Sequence, residues 1–289
     1  GDASPIAFRT AEVTKAVVDD NNPMTEFSVW GWYGETSKTQ VFNAQKVEYI
    51  GNAWTYSPYQ YWRSGETYRF YALYPTKETL AGDGCTASYS ETGALSITGF
   101  DATKGHDLMT AQSDVMYGDN PAQVAFTFNH LLARLEFVGK IDPSTAAMLP
   151  NFTATVTSAS LTGMESMGTY KDGIWTLTDK DAPLAAIDAT ANFELSGEDR
   201  SLFGDILYFP QTDIPETYNL EIEYSVKADN TSTPVTKDIS VQLSSLGTVW
   251  DPGKYYRYVF TIMDEDHILF SKPTVTAWDE ASGGIIVVE

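Results

Sequence analysis

A chain of 289 residues, 43% of them hydrophobic, is long enough to bury one large core or two ordinary ones. Its formal net charge of −21, with acids in excess in both halves, excludes the clustered Lys and Arg that nucleic acid or an anionic lipid surface demands. The single cysteine, Cys85, excludes an internal disulfide, and no apolar run reaches the ~18–20 residues a membrane-spanning helix needs.

Thr, Tyr, Val and Phe are abundant, and 21 Gly and 13 Pro are spread along the whole length, a profile of mostly β structure. The opening Gly1-Asp2-Ala3-Ser4-Pro5 reads as a trimmed N-terminus, from which any signal peptide is already gone. Residues 1–24 are polar apart from Ile6-Ala7-Phe8 and Ala16-Val17-Val18. Residues 27–33 alternate as a strand. Val41-Phe42 and residues 47–50 form a hairpin candidate around Asn43-Ala44-Gln45. The stretch 54–75 is dense in aromatic rings and contains a strand over 67–74, stopped by Pro75.

Gly118-Asp119-Asn120-Pro121 gathers four turn formers and is the best boundary, giving domains over 1–120 and 121–289. Beyond it, strands are predicted over 126–138, 152–161, 174–177, 206–209, 218–226, 239–243 and 255–262. Residues 218–224 alternate strictly, as a strand with one wet face does. The most helical piece, 144–149, is entered at Pro143 and closed by Pro150, so it holds only one or two turns. Short strands at this spacing predict an all-β protein of two packed β-sandwich domains.

No reactive constellation stands out. Cys85 has no nearby His, Lys or Arg to lower its pKa. His106, His130 and His267 share no metal-ligand spacing, and His130, inside an apolar run, reads as a structural side chain. The runs Asp264-Glu265-Asp266 and Asp19-Asp20-Asn21-Asn22 lack the alternation of a calcium loop and read as solvated turns. No nucleophile elbow, phosphate loop or zinc-protease motif is present, so neither an enzyme nor a cofactor is expected. Trp54, Tyr59, Tyr61 and Trp62 have two readings: a platform on which a glycan stacks, or packing within the first domain, which is favoured.

Five pieces in order carry a resemblance: Ile6-Ala7-Phe8 with Thr14-Lys15-Ala16; YSPYQYW over 56–62 leading into YRFYALYP; DLMTAQ over 107–112; VAFTFNHLLARLEF over 124–137; and PGKYYRYVFTI over 252–262, with VTAW at 275–278 as a closing echo. Together the chain resembles the fimbrillin-like proteins of Bacteroidales, the major and minor fimbrial subunits and their lipoprotein relatives. The resemblance implies two transthyretin-like β-sandwich domains in tandem, in a lipoprotein exported to the cell surface at the outer membrane and assembled into fimbriae. It further implies that an Arg-directed protease removes a first strand and that a strand from another subunit fills the groove left behind.

Carried onto this sequence, the displaced strand is Ile6, Ala7 and Phe8, with processing at Arg9 or Lys15; the commoner family pattern has Arg where Lys15 stands. Solvated charge near a frayed end is the other reading of both residues. The donor candidate is Ile285, Ile286, Val287 and Val288 behind Ser282-Gly283-Gly284; the same run also reads as an ordinary last strand. The partners implied are other fimbrial subunits and a host or bacterial surface ligand. The alternative is a secreted glycan- or host-ligand-binding module that does not polymerise. Sequence leaves open the place in the shaft, tip or anchor.

Overall fold

The computed structural model describes residues 3–10, 24–187 and 192–278. The described chain is β-rich, with the six-residue helices Lys77–Gly82 and Pro143–Met148 and two 3-10 turns. None of its helices is long and apolar enough to cross a membrane. Its described residues divide into two compact units: the first takes those up to 131, 168–176 and Trp278, the second 132–167 and those of 177–277. The turn at Gly118 to Pro121 therefore lies inside the first unit. The reason is packing: Val124–Phe126, beyond that turn, pairs in parallel with Phe8–Thr10, and Val124, Phe126 and Phe128 are buried in the first core.

The first unit is built on a seven-stranded sheet in which Glu26–Tyr33 lies between Thr39–Ile50 and Thr67–Tyr74, and Thr67–Tyr74 is followed outward by Met109–Gln112 and Asn129–His130. The two central strands are buried almost throughout, without a wet face. On one face Phe27, Val29, Phe70 and Ala72 meet the residues around Phe8. On the other, Trp30 and Tyr71 meet Tyr89, whose strand Thr86–Tyr89 belongs to a separate four-stranded sheet. Double-sided burial is why FSVWGWY and YRFYALY are apolar or aromatic nearly end to end. In that second sheet, Leu95–Asp101 neighbours Met167–Lys171, and Ile174–Thr178 lies beyond it, so a hairpin from far along the chain completes the first unit.

The hairpin expected around residues 43–45 is a bulge instead. Thr39–Ile50 runs as one strand of 12 residues, and Ala44 takes φ 53° where the register against Glu26–Tyr33 slips between Val29 and Gly31. The single strand expected over 126–138 is three: Val124–Phe126, Asn129–His130 and Ala133–Ile141. The first two belong to one unit and the third to the other, so the apolar run is shared between two cores.

The second unit has a six-stranded sheet, in which Ala133–Ile141 pairs in parallel with Lys254–Ile262, and a five-stranded sheet built on Thr153–Thr162 and Asn219–Lys227. Asn219–Lys227 alternates buried and half-buried residues along its whole length, the pattern the sequence predicts there. Phe137, Tyr258 and Phe260 from one sheet and Leu220 from the other, with Leu243 from a 3-10 turn, line one small internal space, which marks the sandwich core. A second aromatic knot surrounds Tyr208, which packs edge-on against Tyr218 and Trp250. The Tyr218 hydroxyl donates to Glu165, and burial pushes the Tyr218 and Tyr208 hydroxyls well above the ordinary phenol range.

Both units repeat one device. Gly31 stands opposite Phe70, and Gly139 opposite Phe260. A Cβ at Gly31 would come within 2.6 Å of the Phe70 ring, and one at Gly139 within 2.4 Å of the Phe260 ring. Each ring occupies the space that a side chain on its partner glycine would need. The short helices have ordinary caps: Thr76 accepts from the backbone N–H of Thr79, and Asp142 from that of Thr145, with Pro143 at the first turn.

Candidate functional site

Described residues from four of the five pieces of sequence that carry the resemblance meet in one core around Ile6 and Phe8, whereas the fifth piece, residues 252–262, belongs to the second unit. Ile6 and Phe8 are 1% and 3% exposed. They belong to one core with Tyr56 and Trp62, Phe70, Met109 and Ala111, and Val124, Phe126 and Phe128. The Phe8 ring lies 5.5 Å from those of Phe42 and Tyr56, is stacked on Phe126 at 5.9 Å, and meets Phe27 and Phe70 edge-on. Burying side chains of this size stabilises by about 1.5–3 kcal/mol each, so Ile6 and Phe8 act as plugs of an aromatic groove.

Backbone bonds hold the segment along both edges. The Trp62 N–H donates to the Ser4 carbonyl at 3.1 Å and the Ile6 N–H to the Gln60 carbonyl at 2.8 Å, which places Pro5 against Tyr61. On the other side the Val124 N–H donates to the Ala7 carbonyl at 2.8 Å, and Phe8–Thr10 continues in parallel with Val124–Phe126. The Tyr56 hydroxyl donates to the Ile6 carbonyl at 2.8 Å and accepts from the Gln60 N–H at 3.1 Å. Burial raises that hydroxyl's pKa, an effect the Gln60 N–H partly offsets. The groove is apolar and its polar contacts are mostly backbone. It can grip an extended strand that alternates side chains in and out.

The strand follows that alternation: Ile6 and Phe8 point inward, Ala7 is half-buried and Arg9 is exposed. Arg9 lies within Phe8–Thr10, in register with Ala125. Lys15 and the run Ile285, Ile286, Val287 and Val288 lie outside the described residues. Of the four rings weighed as a glycan platform, Trp62 is 5% exposed and packs on Tyr68 and Phe70, so it presents no free face. Trp54 is half-buried against Phe27 and Tyr49, while Tyr59 and Tyr61 are exposed.

The histidines have structural partners. His130 Nδ1 pairs with Asp107 at 2.9 Å, and its ring is stacked on Trp278 at 3.9 Å. The partner is a neighbour across the sheet rather than along the chain. Asp264 accepts from the backbone N–H groups of Asp266 and His267, which makes the acidic run a tight turn. Among the described residues no three potential metal ligands come together. Arg134 is held by both oxygens of Asp205 and lies over the Tyr255 ring. The clip by Ser4 and Pro5 was not legible in the sequence, because partners 50 or more residues apart leave no local pattern.

The fold recurs among solved structures. A fimbrial protein from Bacteroides vulgatus matches with a TM-score of 0.71 at 17% identity, over 95% of this chain and 99% of that one. A candidate cell adhesion protein from Bacteroides uniformis matches with a TM-score of 0.57 at 19% identity, over 95% of this chain and 99% of that one. One from Bacteroides ovatus matches at 0.51 and 17% identity, over the full length of both chains. No curated protein sequence matches significantly. The fimbrillin-like family model matches residues 14–278. With all but the two ends of its sequence matched in this way, the chain belongs to the fimbrillin-like family.

Proposed function

We propose that this protein is a fimbrial subunit of the cell surface that joins other subunits by exchanging the strand in its aromatic groove. In this reading it is exported as a lipoprotein to the outer membrane. A protease then cuts at Arg9 or Lys15, and the segment with Ile6, Ala7 and Phe8 leaves. The run Ile285, Ile286, Val287 and Val288 of another subunit takes its place. The role is structural and adhesive, with no catalytic step. One observation carries the reading: a segment at the head of the chain fills a deep apolar groove through two plug residues and edge hydrogen bonds, ahead of an exposed Arg9. Its departure would leave unpaired backbone groups and an open core, which a β-branched strand satisfies.

Limited trypsin digestion of the full chain tests this. The expected result is a product trimmed at Arg9 or Lys15 that forms ladders resistant to SDS and filaments by electron microscopy. A cleanly trimmed chain that keeps Ile285 to Glu289 and stays monomeric would overturn it.

A further inference from the structure

The first unit contains a second concave site, on the opposite face of its central sheet from the groove. It is a cleft of about 380 Å³. Its floor is a row of cross-strand neighbours: Tyr71 stands opposite Gln112, and Thr110 opposite Asn129. One wall is Tyr89 with the turn at Gly93 to Leu95, and the other is Tyr170 with the tip at Asp172 and Gly173.

The rings are pre-set, with Tyr71, 3% exposed, as a buried backing for Tyr89 and not a free face. Tyr89 stacks on Tyr71 at 5.3 Å and 19°, and its hydroxyl donates to the Ala72 carbonyl at 3.1 Å. Tyr170 is backed by Trp175 at 5.1 Å. The polar groups, by contrast, are uncommitted: the side chains of Gln112, Tyr170 and Asp172 form no hydrogen bond with another described residue. Asn129 reaches only the Thr127 carbonyl, at 3.5 Å. Among the described residues no Lys, Arg or His lines the cleft.

We infer that this cleft binds a neutral saccharide of one or two pyranose rings. A sugar presents an apolar C–H face, which suits a tyrosine ring, and an equatorial belt of hydroxyls. Those hydroxyls both donate and accept, so they match an amide, a phenol and a carboxylate together. The volume is in the range of small-ligand sites. With Asp172 as the one charged group among the described lining residues, sialic and sulfated sugars are disfavoured. The inference does not rest on strand exchange, since every residue involved lies in one unit of one chain.

Saturation-transfer NMR on the untrimmed monomer tests it, with the methyl glycosides of glucose, galactose, mannose, fucose and N-acetylglucosamine, and with cellobiose, lactose and N-acetylneuraminic acid. At least one neutral sugar should receive magnetisation at millimolar concentration. Tyr170→Ala should weaken it about tenfold or more by removing a ring face. Gln112→Ala, an exposed change that leaves the fold intact, should weaken it about three- to tenfold. Transfer to none of the neutral sugars, preference for N-acetylneuraminic acid, or binding unaltered in Gln112→Ala and Asn129→Ala would each overturn the inference.

Discussion

Phe8 and Cys85 show how differently single buried residues act in this molecule. Phe8 touches five other rings, so its surroundings form a closed aromatic shell that only an extended, alternating segment can fill. Cys85 is 2% exposed, and burial, with Asp83 nearby, pushes its thiol up to about 11. The thiolate is the reactive form, so the native chain should resist a disulfide reagent at pH 8 and react at once in denaturant. The raised value also fixes a sign. A folded-state pKa above the unfolded one contributes stability that is complete below about pH 8.5 and lost as pH rises toward 11, of the order of 3 kcal/mol. Urea midpoints measured between pH 8 and 11 should therefore fall, and Cys85→Ala should remove part of the fall. Fast native labelling at pH 8 would contradict this account.

At the scale of elements, strand identity was legible and strand surroundings were not. Thr67–Tyr74 begins and ends where alternation and Pro75 place it. The break in Thr39–Ile50 was read as a turn because Asn43-Ala44-Gln45 is polar and short, whereas a partner strand on the other side turns the same residues into a bulge. The helix Lys77–Gly82 went unread, although Thr76 after a proline and Glu78 in the first turn are start signals; six residues are too few for periodicity to register. In the sequence Gly31 is one member of an alternating strand, and only the cross-strand register shows Phe70 opposite it. Gly31→Ala should thus cost about 1–3 kcal/mol through overpacking, read as a lowered urea midpoint. Phe70→Leu in the same chain should recover part of that loss, because the smaller side chain vacates the space. Additive losses in the double variant would refute the coupling.

At the scale of the whole molecule, the division of the chain is not linear, and no sequence signal marks it. The turn at Gly118 to Pro121 has every local feature of a boundary, yet the first unit extends to Leu131 and regains residues 168–176 and Trp278 from far downstream. Those returns are structural. Residues 168–176 supply strand neighbours for Leu95–Asp101, and Trp175 packs on Phe100, which is 1% exposed. Trp278 covers the buried pair of His130 and Asp107. A fragment of residues 1–131 would keep the groove and its first strand but expose a sheet edge, Phe100 and a buried ionisable pair together. Each uncovered apolar side chain forfeits about 1.5–3 kcal/mol, a large share of the ~5–15 kcal/mol that holds a domain. The fragment should therefore bind a hydrophobic dye and melt without a cooperative transition, while the full chain melts cooperatively. In the full chain, Trp175→Ala should lower the melting temperature by several degrees. A fragment with a sharp transition and native near-ultraviolet dichroism would show that the returning hairpin is an ornament of the first unit. Failure to melt cooperatively would show that the first unit is completed only after the hairpin and Trp278 have been made.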